Sequence, residues 1–166
     1  MLPPGHSAYI PLVIDDLYSS KILGLAANMP HAGRLAAPQG SSEKIAKLCG
    51  SKVIVDLSLD EVGRVRAFAQ DVRACALGQA SAAILGAQVI GAGREELVEA
   101  RDQLASMLRE GGPAPSGRFS DLGVLLPVKD YPARHASTLL AFEAAVEAAA
   151  LASHRLDERT SPAVTG

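Results

Sequence analysis

Tryptophan is absent from this chain, and three tyrosines and three phenylalanines are its whole aromatic complement, so alanine, leucine and valine must fill whatever core it forms. Cysteine is nearly as scarce. Cys49 and Cys75 are the only two, too few for a disulfide framework, and in a reducing cytosol they read as thiols or metal ligands. On counting alone, two inert core cysteines are an equally open reading, because free cysteine is among the most buried residue types. An excess of one charge is also missing. Lys and Arg total 16 against 18 Asp and Glu, a formal net charge of −2, so the chain lacks the electrostatic footprint of a nucleic-acid partner. No eighteen uncharged apolar residues run together, and Met1 to Pro11 show no basic region followed by an apolar run and a small-residue cleavage site. The expectation is a cytoplasmic protein with no membrane partner. No internal repeat is found, which excludes a solenoid.

What is present suits one globular domain. Hydrophobic residues make up 48% of the 166 and charged residues 20%, a balance that excludes disordered and fibrous classes. A single domain over 1–166 is expected, with its core over about residues 15–153 and a flexible polar tail over 157–166. Monomer and weak dimer are both compatible with this composition.

Along the chain, Leu17, Ile22, Leu25 and Ala26 fall near helical spacing, which predicts a first helix over Asp15 to Asn28 that stops before Met29-Pro30. Ala36 to Leu48, with Pro38, Gly40, Ser41 and Ser42, reads as a surface loop. Val53, Val55, Leu57 and Leu59 alternate with Lys52, Ile54, Asp56 and Ser58, predicting a half-buried strand; a second strand over Arg64 to Gln70 completes an antiparallel hairpin. Two helices follow, over Ala80 to Ile90 and Arg94 to Glu110, and Gly111-Gly112-Pro113 stops the second. The state of Leu122 to Leu126 is ambiguous. A last helix is expected from about Ala133 to Ser153. The class is therefore α+β: an N-terminal helix, a small antiparallel β-sheet, and several C-terminal helices covering one sheet face.

The chemistry-bearing residues stand at the joints of this plan. Cys49 precedes Gly50 at the mouth of the first strand, and Cys75 lies between the hairpin and a helix. A thiol just ahead of a helix faces unpaired N–H groups that favour a thiolate, as a sulfur acceptor or metal ligand requires. Two thiolates do not complete a four-coordinate site, and His135, near the start of the last helix, is the best further candidate. Arg134 beside it could support a thiolate or persulfide, although a surface arginine needs no such role.

Taken in order, these motifs resemble the IscU/NifU/SufU family of iron–sulfur cluster assembly scaffolds. Leu17-Tyr18-Ser19, Ile22, Ala27, Pro30 and Gly33 are similar to the family's opening helix. Cys49-Gly50 resembles its first Cys-Gly motif, and Cys75-Ala76 followed by Gln79-Ala80-Ser81-Ala82 its second cysteine and the helix after it. Tyr131-Pro132, Arg134 and Leu140-Ala141 resemble the region around its third cysteine, with a Gly/Pro-bearing insertion between, as in the SufU branch. The resemblance covers about residues 15–150. It implies a SufE/NifU-like fold with a sheet of about three strands. It also implies sulfur received from a cysteine desulfurase, a labile [2Fe–2S] cluster or a zinc ion held at Cys49 and Cys75, and delivery to iron–sulfur acceptor proteins. Such a protein is not an enzyme.

Departures from the family pattern fall on the ligands. Ser51 stands where the family has aspartate after Cys-Gly, and Ser137 stands where it has the third cysteine; a hydroxyl is a far poorer ligand than a thiolate. His135 is then a candidate replacement displaced by two residues, and Cys75 the expected persulfide acceptor. Two other readings are a divergent interaction or regulatory module that assembles no cluster, and a SufE-like sulfur shuttle.

Overall fold

The computed structural model describes residues 17–160. Ser20–Ala27 form helix α1, Gly40–Ala46 strand β1, Ser51–Leu59 strand β2, Val65–Arg73 strand β3, Ala76–Gln88 helix α2 and Arg94–Glu110 helix α3. Two 3-10 stretches, Gly117–Asp130 and Pro132–Arg134, then lead into the long helix α4, His135–Thr160.

The three strands form an antiparallel meander in the order β1-β2-β3. The β2–β3 hairpin follows the sequence pattern, since Val53, Val55, Leu57 and Leu59 all turn inward and are buried. Asp60 closes its turn by accepting hydrogen bonds at Oδ1 from the backbone of Val62 and Arg64. Helices cover the inward face, with α4 lying across β1 and β2 and packing on its other sides against α2 and α3.

Strand β1 corrects the loop expected over Ala36 to Leu48. It pairs with β2 from Gly40↔Leu57 to Ala46↔Ser51, but its inward positions are Gly40, Ser42, Lys44 and Ala46, so no apolar alternation announces it. The cause is α4. A Cβ at Gly40 would collide with the backbone of Ala148, and Glu147 takes up Ser42 Oγ at 2.9 Å and Lys44 Nζ at 2.6 Å. Small and polar residues are what so close a helix admits at this edge.

Helix ends differ from expectation for local reasons. Helix α1 begins at Ser20 because Ser19 Oγ accepts the Ile22 N–H at 3.3 Å; the expected start at Asp15 and Asp16 lies outside the described residues. Helix α2 starts four residues earlier than its apolar run suggested, directly after Cys75. Helix α3 has the expected bounds, entered with Glu96 Oε1 accepting the Gly93 N–H at 3.1 Å and left through Gly111 at φ 69°. Leu122 to Leu126 belong to the 3-10 stretch, with Leu122 and Leu125 buried. Helix α4 runs past Ser153 to Thr160, so residues 157–160 of the expected tail are helical; residues 161–166 lie outside the described part.

By length and apolarity, Pro132–Glu158 is the one segment among the described residues that could cross a membrane. Its Leu139, Phe142, Ala145, Ala148 and Ala149 are instead consumed in the core, where Phe142 meets Phe119 edge-on at 5.4 Å between ring centroids.

The outer sheet face is partly roofed by the segment after α1. Asp56, an outward residue of β2, is fully buried there. Its carboxylate accepts from Arg34 Nε at 2.6 Å, Ser41 Oγ at 2.6 Å and Leu35 N at 3.0 Å. Burial alone would raise its pKa, but these hydrogen bonds outweigh it and hold the carboxyl below its usual range.

Candidate functional site

At one end of the sheet, three joints of the chain meet. Cys49 lies in the tight turn between β1 and β2, closed by the Gly50 N–H donating to Ala46 O at 2.8 Å with Gly50 at φ 73°; that left-handed conformation suits glycine. Ser51 opens β2. Cys75 is the residue that caps α2, reached as β3 returns the chain to the same end. Ser137 belongs to the first turn of α4.

These four side chains form one cluster. Cys49 Sγ and Ser51 Oγ are 3.1 Å apart, and Cys75 Sγ and Ser137 Oγ 3.5 Å apart. The β2–β3 pairing brings the two pairs together, since Lys52, next to Ser51, lies opposite Arg73, two positions before Cys75. Close helix packing makes the second contact, since a Cβ at Gly78 on α2 would come within 3.0 Å of the Ser137 carbonyl oxygen. Ser137 is itself oriented by donating to Arg134 O at 3.2 Å.

The two cysteines differ in setting. Cys49 is exposed and Cys75 half-buried. The Ser51 hydroxyl, then the Ser51 N–H, hold the Cys49 thiol below its ordinary range; slight burial opposes them and Ser137 adds to them. Cys75 Sγ makes no capping hydrogen bond to the first N–H groups of α2.

His135 is not part of this cluster. It is buried, and its Nε2 faces two backbone oxygens, Val128 O at 2.9 Å and Lys129 O at 3.1 Å. Carbonyl oxygens only accept, so Nε2 carries the proton and ties α4 to the end of the 3-10 stretch. Residues two apart on a helix point about 160° apart, so Ser137 and His135 lie on opposite sides of α4. Among the described residues, no hydrogen bond joins the Arg134 side chain to either sulfur, and no group of three or more His, Cys, Asp or Glu side chains could hold a metal ion. The donor set is two thiols and two hydroxyls.

Gly78 was missed as a residue that supports the site: the expected helix began at Ala80, two residues beyond it, and nothing in the sequence showed that α2 packs against Ser137 there.

An antiparallel three-stranded meander crossed by a core helix, with two cysteines gathered at one sheet end, defines an α+β domain. No family model matches the chain. It is 48% identical to the nitrogen-fixing NifU-like protein (N-terminal) of Brucella abortus, whose crystal structure matches with a TM-score of 0.83 over 86% of this chain and 98% of that one. It is 26% identical over 137 residues to the iron–sulfur cluster assembly scaffold protein IscU of Thermotoga maritima, covering 82% of this chain and 95% of that protein. The structure of a candidate SUF-system scaffold, SufU of Fervidobacterium islandicum, shares the fold at 21% identity, with a TM-score of 0.74 over 81% of this chain and 98% of that one. The chain belongs to the NifU-like, IscU/NifU/SufU-type family of iron–sulfur cluster assembly scaffolds.

Proposed function

We propose that this chain accepts sulfur from a cysteine desulfurase, holds a labile [2Fe–2S] cluster or a zinc ion as cargo, and passes it to acceptor proteins in the cytoplasm. It carries cargo and turns over no small substrate. The observation that supports this is the convergence of Cys49, Ser51, Cys75 and Ser137 at one sheet end, the four positions whose matches and departures the family resemblance singled out. Two thiolates bind iron or zinc and two hydroxyls bind them poorly, so the donor set fits brief holding and easy release. Exposure and the Ser51 hydrogen bond favour Cys49 as the thiol that first meets an incoming sulfur, with Cys75, expected from the sequence to take that role, standing behind it.

Anaerobic incubation with ferrous iron, sulfide and a cysteine desulfurase tests this. The wild type is expected to gain cluster absorbance and bound iron, and Cys49→Ala and Cys75→Ala to lose both. A second reading, a sulfur carrier that assembles no cluster, is favoured by the two hydroxyls in place of stronger ligands. It is supported if the wild type takes up sulfur but retains neither iron nor zinc. A wild type that takes up none of the three refutes both readings.

A further inference from the structure

Cys49 and Cys75 stand at the same end of the sheet. Cys49 Sγ is 3.1 Å from Ser51 Oγ, Lys52 beside Ser51 pairs with Arg73 two positions before Cys75, and Cys75 Sγ is 3.5 Å from Ser137 Oγ. The Cys49 turn faces open space. Leu48 beside it is 90% exposed, and a Cβ built on Gly50 would meet no atom within 4 Å, so the turn has open space around it. Cys75 is half-buried at the head of α2, and its sulfur is not engaged in capping that helix. One thiol is thus on an exposed turn with room to move, and the other is half-buried at the head of the helix that packs against Ser137 through Gly78.

From this arrangement we infer that the two cysteines work in sequence, Cys49 as sulfur acceptor and Cys75 as a resolving thiol that expels the sulfur as sulfide. The inference rests on the proposed reading of the site as a sulfur acceptor. In the first step the Cys49 thiolate attacks the outer sulfur of a donor persulfide, RS–SH, giving Cys49–S–SH and RS⁻. In the second, the Cys75 thiolate attacks Cys49 Sγ. The Sγ–Sγ bond forms, the bond from Cys49 Sγ to the outer sulfur breaks, and that sulfur leaves with the electron pair as HS⁻. The outer sulfur is reduced, and the two cysteines are oxidised to a disulfide. Two equivalents of a small thiol then reduce the disulfide and are released as their own disulfide, restoring both thiols. Sulfide is thereby delivered within the site without an external electron donor at the release step. The hydroxyls of Ser51 and Ser137 suit this sequence, since they hydrogen-bond sulfur and do not compete to form disulfides.

The full-length chain, treated anaerobically with glutathione persulfide and freed of excess reagent, tests the inference by sulfide release and by intact mass after alkylation. The wild type is expected to release about one sulfide per chain and to carry a Cys49–Cys75 disulfide. Cys75→Ser and Cys75→Ala, checked for an unchanged thermal melt, are expected to retain the added sulfur on Cys49 and to release sulfide about tenfold more slowly or worse. A wild type that keeps an alkylatable persulfide on Cys49 for as long as Cys75→Ser does overturns the inference alone and leaves the sulfur-acceptor reading intact. Absence of sulfur uptake by the wild type and both variants overturns that reading and the inference with it.

Discussion

Ser137 Oγ stands 3.5 Å from Cys75 Sγ, joining the first turn of the last helix to the cysteine that introduces α2, 62 positions earlier in the chain. The family resemblance puts a third cysteine at this position, and under the proposed function a hydroxyl stands there in place of a stronger ligand.

Ser137→Cys should therefore strengthen cargo retention. After anaerobic reconstitution and desalting, the variant is expected to hold iron about tenfold longer than the wild type, because a thiolate replaces a poor hydroxyl ligand. Ser51→Asp adds a carboxylate beside Cys49 and should act in the same direction. Iron loss from Ser137→Cys at the wild-type rate would mean that position 137 does not face the cargo.

The Cys49 thiol is lowered first by the Ser51 hydroxyl, so its reactivity should show a pH signature. Alkylation by iodoacetamide requires the thiolate, and the rate at Cys49 should rise through a midpoint below that of an ordinary cysteine. In Ser51→Ala the midpoint should move upward. Peptide mapping of alkylation against pH separates Cys49 from Cys75, and coincident wild-type and Ser51→Ala profiles would contradict the assignment.

Gly78 permits α2 to approach Ser137. An added methyl would lie 2.8 Å from Ala74 Cβ and 3.0 Å from Ser137 O, so Gly78→Ala should force the helix ends apart at a cost of about 1–3 kcal/mol. Denaturant unfolding reads the destabilisation. Iron retention should fall in the fraction that remains folded, because Cys75 moves away from Ser137.

For His135 the expected result is loss of stability without loss of cargo. His135→Ala abandons two carbonyl acceptors, Val128 O and Lys129 O, and should cost about 1–3 kcal/mol. Iron bound per folded chain should match the wild type, whereas the ligand role expected from sequence requires it to drop.

Asp56→Asn should flatten the acid limb of the stability curve. The Asp56 carboxyl is held below its usual range in the folded protein by Arg34, Ser41 and Leu35 acting against burial. A depressed carboxyl contributes stability above its unfolded pKa, about 3.9, and loses that contribution as pH falls through the lower folded value. Near neutral pH the substitution should cost about 2 kcal/mol, discounted because Arg34 is half exposed. The difference between wild type and variant should shrink below about pH 4, as urea titrations at several pH values would record.

Patterns with strong local causes were readable in advance. The β2–β3 hairpin showed itself through Val53, Val55, Leu57 and Leu59, and α3 through Leu97, Leu104 and Leu108 with its Gly111 stop. Strand β1 was not readable, because its inward residues are small or polar to admit α4 and so carry no apolar period. Asp56 hid for a related reason: an acidic residue on the outward side of a strand reads as solvated until Arg34 and Ser41 are seen to enclose it.

By itself the sequence determined the α+β class, the two cysteines at the joints of the elements, and the serines at the two departures from the family pattern, since each depends on local periodicity or on residues a few positions apart. Tertiary structure alone decided that Ser137 joins the cysteines while His135 turns away. Both residues belong to the first turn of one helix, so sequence distance cannot tell them apart. What separates them is the rotation of that helix, fixed by Gly78 allowing α2 to close on one side and by the 3-10 carbonyls holding the imidazole on the other.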